Sequence, residues 1–124
     1  MSETAAHQAP AESWPELPPL DEWEETRAAV HLWSQVVGKV RLALGPWVNH
    51  SWGSALYVTT RGLSTSPIHY GGGTFEIELD FQSHALRIVT SSGRTWGMGL
   101  GSMSVADFYR EMFGGLHDLA IDVE

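Results

Sequence analysis

Residues 74–81 alternate strictly between apolar and acidic side chains after an initial threonine. The pattern runs through Phe75, Glu76, Ile77, Glu78, Leu79, Asp80 and Phe81. Successive side chains of a β-strand point to opposite faces, so the pattern predicts a strand with one buried face and one face in water. A sheet of such strands needs helices on its apolar face only, which is typical of α+β domains. We interpret the three acids as a solvated strand face rather than as paired catalytic carboxylates.

Shorter strand-like runs surround this one. Residues 55–61 and 63–68 precede it, and residues 85–90 and 94–100 follow it. The connections contain serine, glycine and histidine and are only a few residues long, as expected between antiparallel neighbours. The sequence therefore predicts a four- to five-stranded antiparallel meander. The alternation of Leu119, Ile121 and Val123 also suggests a closing strand at the end of the chain.

Two amphipathic stretches predict helices before and after the meander. In the first, Asp21 and Glu24 form a capping-box pattern, and Gly45-Pro46 marks the end. In the second, Ser104 caps a shorter helix, which we expect to fray or end at Gly114-Gly115. The predicted fold class is α+β: a long N-terminal helix, the meander and a C-terminal helix, with both helices packed on one sheet face.

The N-terminal segment differs in composition from the rest of the chain. Residues 1–13 are small, polar and acidic and predict a disordered acidic tail, whereas residues 14–124 predict a single α+β domain. Residues 14–20 predict an extended, proline-rich arm. Trp14, Leu17 and Leu20 recur at the three-residue period of a polyproline helix, so we expect this arm to lie on the domain with those side chains covered.

Composition excludes several function classes. The chain has no cysteine, which excludes disulfides, cysteine–zinc sites and thiol nucleophiles. The net charge is -8, and seven of the fifteen acidic residues lie in the first 25 positions. This balance argues against nucleic acid as a partner. No secretory signal and no long apolar run is present, so we expect a cytoplasmic protein without a membrane segment.

A stretch without acids carries the candidate site. Residues 26–75 contain no Asp or Glu, and the loop Asn49-His50-Ser51-Trp52-Gly53 lies between two cationic segments. Cations, amides and indoles together suit an anionic or aromatic small molecule. The predicted ligand-binding residues are Gln35, Lys39, Arg41, Asn49, His50, Trp52 and Arg61. The plainer alternative is that the cations only stabilise a helix end and the tryptophans only build the core.

Two other function classes stay open. The first is a small enzyme with His50 or His31 as its general base. The second is a structural or dimerisation module without a ligand. We predict no metal site, because the sequence lacks a His-x-x-x-His or His-Glu-x-x-His spacing. We also predict no cofactor, since Gly71–Gly73 lacks the lysine and the following helix of a phosphate-binding loop.

Several runs resemble an uncharacterised bacterial family known only as a domain of unknown function, number 5996. They are residues 31–41, 48–52, 56–67, 75–81 and 104–109, and the similarity extends from Trp14 to Val123. The resemblance implies no substrate, cofactor or mechanism. Typical members of that family are about twice as long, so the similarity corresponds to their N-terminal half. We therefore predict a homodimer, in which a second copy takes the place of the missing half.

Overall fold

Two helices cover one face of an antiparallel sheet in the computed structural model, which describes residues 15–44 and 55–123. Helix α1 spans Glu24–Leu44 and helix α2 spans Val105–Asp118. The strands between them are β1 (Tyr57–Val58), β2 (Gly62–Ser64), β3 (Ile68–Tyr70), β4 (Gly73–Asp80), β5 (Ala85–Thr90) and β6 (Thr95–Gly99). The α+β prediction, with one long and one shorter helix flanking an antiparallel meander, is confirmed.

The described part of the sheet has six strands rather than four or five. Its order is β1-β2-β4-β5-β6, and β3 pairs with the other end of β4. Strands β2 and β3 thus continue each other along one side of β4, interrupted at Thr65–Pro67. Ser66 has a φ of 60° and Pro67 has no N–H, so the ladder cannot run through this segment. The Thr65 hydroxyl accepts the Ile77 N–H at 3.1 Å and bridges the break.

The core lies between the helices and the apolar face of β4 and β5. The register pairs Ile77 with Ile88 and Leu79 with Leu86, so these four side chains share one face. Above them, Trp33 of α1 stacks on Phe108 of α2 with ring centroids 5.6 Å apart. The remaining buried apolar side chains are Val36, Val37, Val40, Ile68, Phe75, Met112, Leu116, Leu119 and Ile121.

Helix α1 begins later than its capping-box pattern predicts. Leu20–Glu22 form a single turn of 3-10 helix, and the α-helix starts at Glu24. Trp23 separates the two: its carbonyl accepts the Arg27 N–H at 2.9 Å, and its indole N–H donates to the Pro18 carbonyl at 3.2 Å. The prediction that Asp21 caps the α-helix is therefore wrong, because the N–H groups of Glu22 and Trp23 donate to carbonyls three residues back and close a 3-10 turn.

The leucines of the proline-rich arm are not buried against the domain. Leu17 is 83% exposed and Leu20 is 52% exposed, so the expectation that the arm buries them is wrong. The described arm is instead held at its end, where Trp23 contacts Pro18. Trp14 and the predicted tail, residues 1–13, lie outside the described residues.

Helix α2 passes through its two glycines instead of ending there. Ser104 caps it as predicted, with its hydroxyl accepting the Asp107 N–H at 3.1 Å. Gly115 is buried, and a Cβ at that position would overlap the Trp96 ring of β6. The glycine therefore lets the indole pack directly on the helix. Residues 119–123 form no strand, although Leu119 and Ile121 are buried.

Neither of the two α-helices in the described ranges combines the length and the apolar character needed to cross a membrane.

Candidate functional site

A groove of about 560 Å³ follows the C-terminal half of α1. We call it the cationic groove. Its described lining consists of Ser34, Gln35, Gly38, Lys39 and Leu42 from α1, with Leu56 and Leu63 from the β1–β2 side. The helical positions recur at intervals of three and four residues, which places them on one side of the helix.

The wall of the cationic groove combines one charge, two polar groups and three leucines. Lys39 is its charged residue, and the described lining contains no Asp or Glu. Among the described residues, the salt bridges use arginines and His117, and Lys39 is in none of them. Gly38 has no side chain, so the helix backbone itself forms part of the wall. The ammonium group of Lys39 is thus available beside an apolar surface.

Arg41 connects the end of α1 to the first strand. Its guanidinium donates to the Ala55 carbonyl at 3.1 Å and to the Tyr57 hydroxyl at 3.4 Å, and its Cζ lies 5.4 Å from the centre of the Tyr57 ring. These contacts span the chain on either side of residues 45–54. Arg41 therefore fixes the segment that carries Leu56. Arg41 itself does not belong to the described lining of the groove.

The structure brings together some of the predicted site residues. Gln35 and Lys39 line the same groove, as their spacing of one helical turn implies. His31 is exposed one turn before Gln35 and does not belong to the described lining. Asn49, His50 and Trp52 lie outside the described residues.

Arg61 is engaged elsewhere. Its Nε donates to Asp80 Oδ2 at 2.6 Å and its Nη1 donates to Gln82 Oε1 at 3.1 Å. The register places Gly62 opposite Asp80, so Arg61 lies at the end of β4 and not in the lining of the cationic groove. Sequence reasoning grouped it with Lys39 only because no acid lies between them in the chain.

Asp80 is the buried centre of a polar cluster on the sheet face that the helices leave open. Besides Arg61, Arg87 donates to its Oδ2 at 2.7 Å, and the backbone N–H groups of Gln82 and Ser83 donate to its Oδ1 at 2.9 and 3.0 Å. Burial raises the pKa of Asp80, but the hydrogen bonds from Arg61, Ser83 and Arg87 outweigh it and hold that pKa far below its usual range. The interpretation of Asp80 as a solvated side chain is therefore wrong.

The two neighbouring acids follow the prediction more closely. Glu78 pairs with Arg87, and Glu76 accepts a hydrogen bond from the Ser64 hydroxyl at 2.7 Å. Both are partly exposed, whereas the Asp80 side chain is fully covered. Asp80 differs because it stands at the strand end, where the following turn and two arginines enclose it. Each carboxylate oxygen of Asp80 accepts two hydrogen bonds, and these bonds hold the turn. We therefore interpret Asp80 as a structural residue rather than a catalytic carboxylate.

A second cavity, of about 640 Å³, lies along the N-terminal half of α1. We call it the apolar cleft. It is lined by Glu25, Thr26, Ala29, Val30 and Trp33 of α1, Phe81 and His84 of the β4–β5 turn, and Leu100, Gly101, Ser102 and Met103 of the β6–α2 connection. Sequence reasoning missed it, because its walls come from three distant segments. Phe81 belongs to the predicted apolar face of the 74–81 strand, so the sequence gives no signal that its ring lines a cavity.

Metal-ligating side chains are scattered over residues 15–44 and 55–123. No group of three or more His, Asp or Glu side chains in these ranges lies close enough together to hold a metal ion.

Comparison with family models identifies the relatives of this chain. The model described as Family of unknown function (DUF5996) matches residues 14–124. The chain belongs to the DUF5996 family. This confirms the resemblance drawn from the motifs, and the matched DUF5996 region contains the cationic groove and the apolar cleft. Comparison with curated proteins gave no match, and comparison with solved structures gave none either.

Proposed function

We propose that this DUF5996 domain binds a small anionic molecule with an apolar or aromatic part in the cationic groove. The observation that carries the proposal is the composition of the described lining. One lysine stands beside three leucines, with an amide and a hydroxyl nearby and no carboxylate. An anion would meet the ammonium group of Lys39, and its apolar part would cover Leu42, Leu56 and Leu63.

Size supports the same class of ligand. Small-molecule sites commonly enclose about 300–1,000 Å³ and combine apolar walls with a few placed polar groups. The cationic groove, at about 560 Å³, falls within that range. Gln35 adds a donor and an acceptor one turn before Lys39, which would let the site select an oriented anion such as a carboxylate or sulfonate.

The predicted loop residues extend this proposal. Residues 45–54 join Leu44 of α1 to Ala55, and the chain on each side of this segment contributes to the groove through Leu42 and Leu56. Asn49, His50 and Trp52 therefore remain proposed ligand contacts. Arg41 supports the proposal indirectly, because its bond to the Ala55 carbonyl holds the residue that directly follows this segment.

Titration with 8-anilinonaphthalene-1-sulfonate, an anionic aromatic probe, tests the proposal. We expect saturable fluorescence enhancement, about tenfold weaker binding in Lys39→Gln, and recovery in Lys39→Arg. Arg27→Gln is the matched control: it also removes one positive charge, but from an exposed position on α1 outside the described lining of both cavities. Equal affinity in Lys39→Gln and Arg27→Gln would reject the groove as the anion site.

A homodimer is a separate proposal, favoured by an apolar patch on α2. Tyr109 and Phe113 stack with ring centroids 4.2 Å apart, and Tyr109 is 51% exposed beside Val105. Two copies related by a two-fold axis would cover this patch, with Arg110 of each helix near Asp107 of the other. Light scattering at tens of micromolar should give twice the monomer mass for the wild type and the monomer mass for Tyr109→Lys. A monomeric wild type would contradict the proposal.

The histidine hypothesis and the cytoplasmic location stay predictions. His31 is exposed and outside the described groove lining, so no observation on this helix favours a general base.

A further inference from the structure

The apolar cleft differs from the cationic groove in the side chains that line it. Most of its walls are apolar, formed by Ala29, Val30, Trp33, Phe81, Leu100 and Met103. The polar side chains in the lining belong to Glu25, Thr26, His84 and Ser102. The lining, all within the described residues, includes a carboxylate and no lysine or arginine. A cavity of about 640 Å³ with this lining is large enough for a small organic molecule.

The turn that forms one wall of the cleft is held firmly. Asp80 Oδ1 accepts the N–H groups of Gln82 and Ser83, and its Oδ2 is held by Arg61 and Arg87. These bonds fix the turn between Phe81 and His84. The wall is therefore formed before any ligand arrives, which lowers the entropic cost of binding.

A backbone bond joins this turn to the other loop of the cleft. His84 has a φ of 54°, in the left-handed region, and its carbonyl accepts the Leu100 N–H at 2.7 Å. The β4–β5 turn and the β6–α2 connection are thus linked at the position where both line the cavity. The third wall, α1, is anchored through Trp33, which is 7% exposed and stacks on Phe108.

We propose that the apolar cleft binds a small organic cation, namely an ammonium group carried on an aromatic or branched apolar body. Phe81, which is 38% exposed, supplies an aromatic ring whose negative face attracts cations, and Trp33 adds apolar surface to the wall. Met103 supplies a polarisable thioether next to them. Glu25 supplies the compensating negative charge, while the apolar body replaces water against Val30 and Leu100.

The experiment uses the full chain labelled with nitrogen-15 and with carbon-13 at the methionine methyl groups. Benzyltrimethylammonium is the probe, and neutral benzyl alcohol is the comparison. We expect the cation to shift the Trp33 indole and Met103 methyl resonances saturably, with at least about tenfold tighter binding than the alcohol. Equal affinity for the two probes, or shifts confined to other residues, would overturn the proposal.

Substitutions separate charge recognition from the shape of the cavity. Glu25→Gln should weaken the cation about tenfold and leave the alcohol unchanged. Glu111→Gln removes an exposed acid on α2, outside the cleft, and should change neither. Ala29→Leu should fill the cleft and weaken both probes, with thermal unfolding used to verify that the variant folds. If Glu25→Gln and Glu111→Gln bind the cation alike, the carboxylate does not recognise it and the proposal fails.

Discussion

The cationic groove and the apolar cleft share one helix, yet their charges are opposite. Positions 25, 26, 29, 30 and 33 line the cleft, and positions 34, 35, 38, 39 and 42 line the groove. Each set is the other displaced by nine residues, which is about two and a half helical turns. The two cavities therefore lie on opposite sides of α1 as well as toward opposite ends.

The difference follows from how charge is distributed along α1. Glu24 and Glu25 occupy its first turn, and Arg41 its last. Acids near a helix N-terminus and bases near its C-terminus are favoured by the helix dipole. Glu25 therefore favours the helix start and also lines the cleft. The positive charge of the groove comes from Lys39, whereas Arg41 lies outside the described lining.

The walls opposite α1 also differ. In the cleft they are fixed by the Asp80 cluster and by the bond from Leu100 N–H to the His84 carbonyl. In the groove the sheet side depends on the contacts of Arg41 with Ala55 and Tyr57. A substitution in either wall should therefore disturb one cavity and spare the other.

The largest expected effect is that of Asp80→Asn. The change leaves two guanidinium groups without their buried charge partner and loosens the turn that carries Phe81. We expect the melting temperature to fall by about 10 °C. Binding of benzyltrimethylammonium should weaken at a temperature where the variant is still folded, while binding of the anionic probe is retained.

Glu76→Gln is the control for this substitution, because Glu76 is half-buried on the same strand face and accepts a hydrogen bond from the Ser64 hydroxyl instead of from an arginine. Its melting temperature should change little. A fall in melting temperature as large as that of Asp80→Asn would show that the arginine contacts of Asp80 are not the source of its stabilising effect.

Acid should remove the contribution of Asp80. The pKa of this carboxyl is lowered in the folded state, so its contribution to stability is complete above the ordinary aspartate pKa of about 4. It is lost as the pH falls through the lower pKa of the folded state. Denaturant unfolding from pH 6 downward should therefore show a steeper decline for the wild type than for Asp80→Asn. Parallel curves would contradict the assignment.

The two glycines of α2 test the scaffold that both cavities share. Gly115→Ala places a methyl group against the Trp96 ring and should lower the free energy of unfolding by about 2 kcal/mol. A Cβ at Gly114 meets open space, so Gly114→Ala should raise it by up to about 1 kcal/mol. Denaturant unfolding measures both. A change of stability in the same direction for both substitutions would contradict the packing of Trp96 on Gly115.

Neutralising one charge in each cavity should weaken the binding of one probe and leave the other probe unaffected. Lys39→Gln and Glu25→Gln should each cost about tenfold in affinity for the corresponding probe and nothing for the other. The two positions are about 21 Å apart along the helix axis, far enough for their effects to add. Titration of the double variant with both probes measures this. Coupling between the substitutions would mean that the cavities are not separate sites.

The smallest expected effect is that of Ser104→Ala. The hydroxyl of Ser104 caps α2 through the Asp107 N–H, directly after the loop that carries Met103. Its loss should cost about 1 kcal/mol of unfolding free energy. Thermal and denaturant unfolding measure this, and an unchanged stability would show that the cap contributes nothing.

Local patterns were sufficient to predict the fold class. Alternation over 74–81 predicted β4, and the three-and-four spacing predicted α1, because each pattern reports which side of one element is buried. The failures required contacts between elements. The sequence predicts a helix end at Gly115 because it does not show that Trp96 packs there, and it predicts a solvated Asp80 because it does not show that Arg61 and Arg87 cover it.

The candidate site was predictable to the same extent. Gln35 and Lys39 share a helix face, so the sequence could group them. It could not separate Arg61 from them, because the pairing of Gly62 with Asp80 joins residues far apart in the chain. The apolar cleft was beyond prediction for the same reason: Val30, Phe81 and Met103 belong to three different elements.

Lys39 is the only lysine in the chain, so its amine can be observed without signals from other lysines. Reductive methylation with carbon-13 formaldehyde labels its amine, giving one side-chain resonance distinct from that of the chain's amino terminus. We expect 8-anilinonaphthalene-1-sulfonate to shift this resonance saturably and benzyltrimethylammonium to leave it unchanged. A lysine resonance that does not respond to the anion, or that responds equally to the cation, would contradict the assignment of opposite charge preferences to the two sides of α1.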